Sequence, residues 1–315
     1  MLLDSIILII GFVVLVKGAD LFVDAASSLA ENFHVSKMLI ALTIVSFGTS
    51  APEFAVSIKS LLSGSGDIVL GNVIGSNILN ILLILGVSSC IHSLNVKNAT
   101  VKKELPITML ITTLFVVLLN DKLISGTKNM LTRSDGVIIV LFFLVFIYYL
   151  FSVMHNKTEE EDKAPKYNTL ISMLFTIVGI ACLILGSNAV VDSASSIAKI
   201  LGVSERMISL TIIALGTSLP ELVTSVVATR KKEYDIAIGN VVGSNIFNIG
   251  MVIGLPISII GGINKITFSY IDLIVMLISA ILLFLFSYKD YKISRKEGII
   301  FLLIFAAYYS YVIFI

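Results

Sequence analysis

Two glutamates lie in apolar segments, where burying a carboxylate costs free energy, and each directly follows a proline. Glu53 lies in the stretch GTSAPEF, which begins at Gly48, and Glu221 lies in GTSLPEL, which begins at Gly216. An ionisable side chain at membrane depth normally faces a cavity or a partner, yet neither segment carries a Lys or Arg beside its glutamate. Two such carboxylates facing each other would repel unless a cation or protons lay between them.

The residues around each glutamate supply hard oxygen ligands. Thr49, Ser50 and Glu53 are spaced i, i+1 and i+4, which places them near one face of a helix. Pro52 has no N–H, so the carbonyl of Gly48 loses its helical partner and the helix is expected to unwind there. Irregular backbone is tolerated at membrane depth only where it is buried or lines a cavity. Oxygen ligands of these kinds suit Ca²⁺ and Na⁺ and not soft transition metals. The same set recurs as Thr217, Ser218, Pro220 and Glu221.

A second duplicated motif predicts the facing wall of the same site. GNVIGSNILN begins at Gly71, and GNVVGSNIFN begins at Gly239. The motif forms a polar stripe at i, i+4 and i+8, which comprises Asn72, Ser76 and Asn80 and, in the second copy, Asn240, Ser244 and Asn248. Such a stripe either joins helices or binds a ligand, and its last asparagine follows the glutamate by 27 residues in both copies. That constant spacing favours the site. The glycine pairs Gly71 with Gly75 and Gly239 with Gly243 permit close helix approach.

Composition defines the elements that must position these residues. The 315 residues are 57% hydrophobic and 14% charged, whereas a soluble domain carries about 25% charged residues. Apolar runs of about 20 residues, enough to cross a bilayer, recur along the chain. We therefore predict an all-α polytopic membrane protein with ten transmembrane helices. The predicted spans are 3–30, 37–62, 67–91, 103–120, 133–154, 168–199, 205–229, 235–261, 268–287 and 296–314.

A single offset of 168 residues relates the two copies from residue 18 to residue 81 without a gap, which indicates an internal duplication. The predicted repeats are 1–154, with its motif region at 36–81, and 168–315, with its motif region at 204–249. The hydrophilic stretch 155–167 is predicted to be a linker. Five spans in each half make the repeat inverted, a construction typical of secondary transporters. The distribution of Lys and Arg favours a cytoplasmic linker with both termini outside.

The duplicated motifs resemble the two α-repeats of the Ca²⁺/cation antiporter superfamily, specifically its sodium/calcium exchangers of prokaryotic type. The resemblance covers essentially the whole chain. It implies that the second, third, seventh and eighth helices surround the cations while the long first and sixth helices slide to switch access. The implied ligands are Ser46, Thr49, Ser50, Glu53, Ser76 and Asn80, with Ala214, Thr217, Ser218, Glu221, Ser244 and Asn248 as their repeats. Ser46 and Ala214 would contribute backbone carbonyls only.

One position departs from part of that family, because some members carry Asp where this chain has Asn248. Only two acidic ligands remain, which would balance one Ca²⁺ and leave three Na⁺ in excess positive charge. The asparagine argues against potassium dependence. Asp24 and Asp192 lie on the predicted sliding helices, and we interpret them as helix-end or solvated residues, not ligands.

The predicted function is a secondary antiporter of the cell membrane that exchanges Na⁺ for Ca²⁺ by alternating access. A proton/calcium exchanger of the same fold stays open, because two close carboxylates also take protons, and a passive cation channel is a weaker alternative. No nucleophile–base pair, P-loop or metal triad is present in the sequence, so an enzyme is not expected. The expected partners are membrane lipid, Ca²⁺ and Na⁺; no cofactor, nucleic acid or obligate protein partner is indicated.

Overall fold

The chain is a bundle of helices in a computed structural model that describes residues 1–121, 126, 128–154, 164–208, 211–212, 214–263 and 269–314. The helices of its first half are α1 (Leu2–Phe33), α2 (Lys37–Thr49), α3 (Ala51–Leu62), α4 (Gly66–Ile91), α5 (Leu105–Leu118) and α6 (Arg133–Met154). Those of its second half are α7 (Thr169–Ile200), α8 (Glu205–Ile208), α9 (Ala214–Gly216), α10 (Leu219–Arg230), α11 (Tyr234–Ile260), α12 (Tyr270–Asp290) and α13 (Arg295–Phe314).

Hydropathy and length identify membrane spans among these helices. Seven helices of the described chain are long and apolar enough to cross a bilayer, or eight if the bent pair α2–α3 forms one span. The predicted count of ten is therefore not confirmed by this criterion. Two predicted spans fail it for a local reason: α5 has 14 residues, and the segment 205–230 is divided among α8, α9 and α10. The predicted linker falls mostly on 155–163, which lies outside the described residues.

A proline break interrupts the helix at each glutamate, as the sequence predicts. Helices α2 and α3 meet at 46°, and Ser50 between them has φ −82° and ψ 5°. Ser218, which precedes α10, has φ −88° and ψ 4°. In both places the proline occupies the first turn of the following helix, where its missing N–H costs no helical hydrogen bond. The glutamate shares that first turn, where the helix dipole favours a negative charge.

The two motif helices are the most enclosed elements, which places the candidate site in the core. In the most apolar window of α11, 94% of residues are buried, and in that of α4, 72%. The corresponding value for α13 is only 11%, so this helix lies at the periphery, facing the surroundings with apolar side chains.

The long helices α1 and α7 pack along each other through small residues. A β-carbon on Gly18 would lie 2.5 Å from Cβ of Cys182, and one on Gly186 would lie 2.8 Å from the backbone nitrogen of Leu15. The backbones therefore approach more closely than any larger residue would permit.

Short strand contacts join loops of the two halves. Strand β1 (Leu94–Asn95) pairs antiparallel with β2 (Lys292–Ile293), and a single bridge joins Leu131 to Ile263. Each contact links one loop of the first half with one of the second, so the halves are interlocked and do not form separate bundles.

An ion-pair cluster ties α1 to the start of α2 and the end of α10. Lys231 Nζ lies 2.5 Å from Asp24 Oδ1 and 2.7 Å from Asp20 Oδ1, and Lys166 Nζ lies 2.5 Å from Asp24 Oδ2. The hydrogen bond to Asp24 raises the pKa of Lys166 above its ordinary value. Lys37 Nζ lies 2.8 Å from Glu233 Oε1 and 3.2 Å from Glu31 Oε1. Asp24 lies inside α1, not at its end, and is ion-paired with Lys166 and Lys231, whereas Asp192 is exposed, as predicted for a solvated residue.

Candidate cation site

The two helix breaks bring Glu53 and Glu221 together in the core. Each glutamate is only 1% exposed, and the carboxylates are near enough to repel each other. The side chains of Thr217 and Ser76 neighbour Glu53. Ser50 donates a hydrogen bond to Glu221 Oε1 at 3.2 Å. Side chains of both duplicated motifs, from both halves, therefore surround the two carboxylates.

Several buried acceptor oxygens at this place have no hydrogen-bond donor among the described residues. They are both carboxylate oxygens of Glu53, Oε2 of Glu221, and the amide oxygens Oδ1 of Asn80 and Asn248. Buried polar atoms in folded proteins are almost always satisfied, so a group of orphaned acceptors requires an electropositive partner. The described residues contain no cluster of three or more His, Cys, Asp or Glu side chains arranged to hold a metal. Neutral oxygens must therefore supply much of any cation coordination here.

The hydroxyl groups of the first motif contact the second half directly. Thr49 Oγ1 donates to Asn240 Oδ1 at 3.0 Å and lies 3.4 Å from Ser244 Oγ. Ser218 Oγ donates to Ser76 Oγ at 3.2 Å. These contacts cross between the halves, so the walls of the site belong to both. Thr49, Ser76, Ser218 and Ser244 are buried, and Thr217 is partly buried.

Ser46 and Ala214 occupy unlike environments despite their equivalent sequence positions. The Ser46 hydroxyl donates to the carbonyl of Ala41 at 2.7 Å and lies 3.2 Å from the carbonyls of Gly239 and Asn240. It is fully buried, while Ala214 is exposed. The Ser46 hydroxyl is therefore engaged with backbone acceptors of its own helix and of α11.

The first asparagine of each stripe joins helices. Asn72 Nδ2 donates to the carbonyl of Glu53 at 3.3 Å. Asn240 Nδ2 donates to the carbonyl of Glu221 at 3.2 Å and to Ser225 Oγ at 3.0 Å. Of the two readings of the polar stripe, interhelical joining fits this first position, and these amides hold the backbone of each glutamate in place.

Sequence reasoning missed Asn77 and Asn245, which lie one residue after the serine of each stripe. Asn80 Nδ2 donates to Asn245 Oδ1 at 2.9 Å, and Asn248 Nδ2 donates to Asn77 Oδ1 at 3.0 Å. The 168-residue offset marks both positions, and it could have pointed to them. Asn80 and Asn248 also begin π-helical segments, Asn80–Leu85 and Asn248–Gly254; such wide turns occur frequently at functional sites.

The glycine pairs of the two motifs pack differently. On what we call the α2 side, where α2 packs on α11, a β-carbon on Gly239 would lie 2.5 Å from Cβ of Ala41, and one on Gly243 would lie 2.1 Å from Ser46 Oγ. On the α9 side, where α9 approaches α4, Gly71 is exposed. No described atom lies within 4 Å of a β-carbon on Gly71 or Gly75. Among the described residues the predicted close approach is seen on the α2 side; residues 209, 210 and 213, which the offset places on the α9 side, lie outside the described part of the chain.

Comparisons with known proteins agree with this architecture. The family model described as sodium/calcium exchanger protein matches residues 4–152 and 171–314. The chain is 36% identical to inner membrane protein YrbG of Escherichia coli (strain K12), with 95% of this chain and 94% of YrbG covered. It is 30% identical to the sodium/calcium exchanger MaX1 of Methanosarcina acetivorans, with 97% of each covered.

A solved structure of the sodium-calcium exchanger NCX_Mj, soaked with Na⁺ and Sr²⁺, has a similar fold. The TM-score is 0.85 at 29% identity, and the alignment covers 98% of each chain. The family match spans both halves of the chain, and the fold agrees over nearly the whole length. The chain belongs to the sodium/calcium exchanger family.

Proposed function

We propose that the chain is a secondary antiporter that exchanges Na⁺ for Ca²⁺ across the cell membrane by alternating access. One observation carries the proposal: Glu53 and Glu221 are buried together, and three of their four oxygens lack a hydrogen-bond partner in the described part of the chain. Two carboxylates at close range without a basic partner require a cation or protons between them. The similarity to the exchangers MaX1 and NCX_Mj supports Na⁺ and Ca²⁺ as the ions.

The proposed ligands are the oxygens around these two glutamates. Hydroxyl, amide and carbonyl oxygens with two carboxylates form a hard-ligand set that suits Ca²⁺. They comprise the side chains or carbonyls of Ser46, Thr49, Ser50, Glu53, Ser76, Asn80, Ala214, Thr217, Ser218, Glu221, Ser244 and Asn248. Both ions need the same two carboxylates, so the site holds one load at a time. That competition enforces exchange.

The unequal packing of the glycine pairs supports alternating access. Helix α2 packs closely against Gly239 and Gly243, which closes the α2 side, whereas Gly71 on the α9 side is exposed. In the proposed topology of ten helices in two inverted repeats, the α9 side faces outward and the α2 side faces the cytoplasm. The termini then lie outside and 155–167 lies in the cytoplasm. A passive channel would need both sides open at once.

The proposed movement is a slide of α1 and α7 across the core. The glycine-lined seam between them supports this role, because the two helices contact each other through small residues. As they slide one way the α2 side would open while the α9 side closes, and the cations would be released to the other compartment.

The test is ⁴⁵Ca²⁺ uptake into proteoliposomes driven by an outward Na⁺ gradient. Glu53→Gln and Glu221→Gln are expected to reduce uptake to background, because each removes one of the two charges that balance Ca²⁺. Asp192→Asn is the matched control, since Asp192 is exposed, and it should transport normally. Uptake that follows a pH gradient and ignores Na⁺ would replace the sodium assignment with proton exchange. Full uptake in both glutamine variants would overturn the site itself.

A further inference from the structure

Four buried asparagines form a reciprocal set of hydrogen bonds where α4 and α11 cross. Asn77, Asn80, Asn245 and Asn248 are each at most 2% exposed. Asn245 Nδ2 donates to the backbone carbonyl of Asn77 at 3.3 Å, and Asn77 Nδ2 donates to the backbone carbonyl of Asn245 at 3.4 Å. The two side-chain pairs, Asn80 with Asn245 and Asn248 with Asn77, complete the set. Every bond crosses between the two halves of the chain.

Donor and acceptor chemistry gives this set a direction. A backbone carbonyl can only accept, so it must receive the NH₂ group of Asn245 and not its oxygen. The oxygen of Asn245 is thereby turned toward Asn80, where it must receive a donor. Asn80 consequently directs Nδ2 at Asn245 and keeps Oδ1 free, and Oδ1 is one of the orphaned acceptors of the site. The same sequence of bonds, with Asn77 in place of Asn245, leaves Oδ1 of Asn248 free.

We propose that Asn77 and Asn245 are positioning residues that force Asn248 and Asn80 to present their amide oxygens, and not their NH₂ groups, to the transported cation. This inference rests on the proposed function, because it assigns a purpose to the orientation of two proposed ligands. Without Asn245 the Asn80 amide could rotate by half a turn and point donor hydrogens at the cation. An amide NH₂ group repels a cation, so the rotated form loses a ligand and adds an unfavourable dipole.

The same bonds select the residue type at positions 80 and 248. A carboxylate at position 248 would set two acceptor oxygens against each other, because Asn77 Oδ1 already faces this side chain. Asn77 is held from turning by its own bond to the carbonyl of Asn245. The positioning residues thus favour neutral amides at both places, and they hold the site at two negative charges, those of Glu53 and Glu221.

A double-mutant cycle on Ca²⁺ binding tests this role. The affinity of purified protein for ⁴⁵Ca²⁺ is measured for wild type, Asn245→Ala, Asn80→Ala and the double variant. Loss of a residue that orients a metal ligand typically weakens binding by about 10- to 100-fold, and we expect this for Asn245→Ala; Asn80→Ala removes the proposed ligand itself and should weaken binding at least as much. The double variant should bind no more weakly than Asn80→Ala, since the proposed effect of Asn245 on the cation passes through the orientation of Asn80. The losses in Asn245→Ala with Asn248→Ala should multiply instead, because no hydrogen bond joins those two side chains.

A purely structural role gives a different pattern. Unchanged affinity in Asn245→Ala, or losses that multiply with Asn80→Ala as they do with Asn248→Ala, would overturn the proposal. Gel filtration without ions checks folding; if Asn245→Ala is not monodisperse, the equivalent cycle on Asn77 and Asn248 decides with the same criteria. Glu53→Gln separates the two hypotheses. If Glu53→Gln binds Ca²⁺ as wild type does, the proposed function fails. If Glu53→Gln loses Ca²⁺ binding while Asn245→Ala keeps it, only the positioning role is rejected.

Discussion

The α2 side and the α9 side carry similar motifs and pack differently in the described part of the chain. Gly239 and Gly243 lie against Ala41 and Ser46, and a single added methyl group would overlap with them. Gly71 occupies the equivalent place in the other copy and is exposed. The two copies of this glycine motif therefore differ in packing among the described residues. Among the described residues, close approach at these glycines is seen on the α2 side.

The two sides also differ in charge, and here the sequence itself is asymmetric. Lys231 and Glu233 contribute to the ion pairs of the α2 side, while the equivalent positions 168 residues earlier are Ser63 and Ser65. Asp192, the counterpart of Asp24, consequently has no ion pair in the described part of the chain. The motifs are thus duplicated in the two halves, whereas the charged residues that form these ion pairs are not.

The largest effect is expected from alanine at the two second glycines. In Gly243→Ala the new Cβ would lie 2.1 Å from Ser46 Oγ and 2.8 Å from Ser46 Cβ, an overlap that costs about 1–3 kcal/mol. Gly75→Ala meets no described atom within 4 Å, so this conformation should tolerate it. The apparent Tm in detergent should fall for Gly243→Ala and stay unchanged for Gly75→Ala.

Transport measurements on the same two variants test whether the α9 side closes. If the α9 side must close during each cycle, Gly75→Ala should slow Na⁺-driven ⁴⁵Ca²⁺ uptake even though its Tm is unchanged. Equal losses of Tm in both variants would show that the two sides are packed alike. Normal uptake in Gly75→Ala would show that the α9 side never closes on Gly75.

A smaller effect is expected from Ser46→Ala. The hydroxyl bonds to the carbonyl of Ala41 and contacts those of Gly239 and Asn240, and losing it should cost about 1 kcal/mol. Calcium affinity should not change, because only the carbonyl of Ser46 is proposed as a ligand. Thr43→Ala is the control, since the Thr43 hydroxyl bonds only to carbonyls of its own helix, those of Leu39 and Ile40. A large loss of Ca²⁺ binding in Ser46→Ala would make its hydroxyl a ligand.

The smallest effect concerns the ion pairs. Asp24→Asn weakens the contacts with Lys166 and Lys231, which are partly exposed, so we expect a loss of about 0.5 kcal/mol. The loss should shrink as choline chloride is raised, because salt screens such pairs. Asp192→Asn should change the apparent Tm at neither salt concentration. Equal, salt-independent shifts of Tm in both variants would contradict a stabilising role for the ion pairs of Asp24.

Much of the helical plan could be predicted because hydropathy is a local property. The predicted span 133–154 coincides with Arg133–Met154, and 67–91 differs from Gly66–Ile91 by one residue. The breaks before Glu53 and Glu221 follow from the missing N–H of proline. The count of ten spans is not confirmed, because α5 is short and the segment before Glu221 is divided. The termini orientation and the repeat boundaries stay predictions.

The candidate site was predictable in composition and not in geometry. Duplication singled out Ser50, Ser76 and Thr217, whose side chains neighbour Glu53 or Glu221, while the full ligand set stays a prediction. The pairing of Asn80 with Asn245 was not predictable, because hydropathy and local spacing do not say which residue of one half faces which residue of the other. The π-helical segments that begin at Asn80 and Asn248 also depend on packing between helices, so no local pattern announces them.

The sequence by itself determined the oxygen chemistry, the position of each helix break and the membrane character, since these depend on residue type and on neighbours along the chain. Only the tertiary structure decided how the glycines of each motif pack and which amide atom of Asn80 and Asn248 is left without a hydrogen bond. Both outcomes depend on contacts between residues that are far apart in sequence, such as Gly243 with Ser46 and Asn245 with Asn80. Similar motifs pack differently because each one lies against a different part of the same molecule.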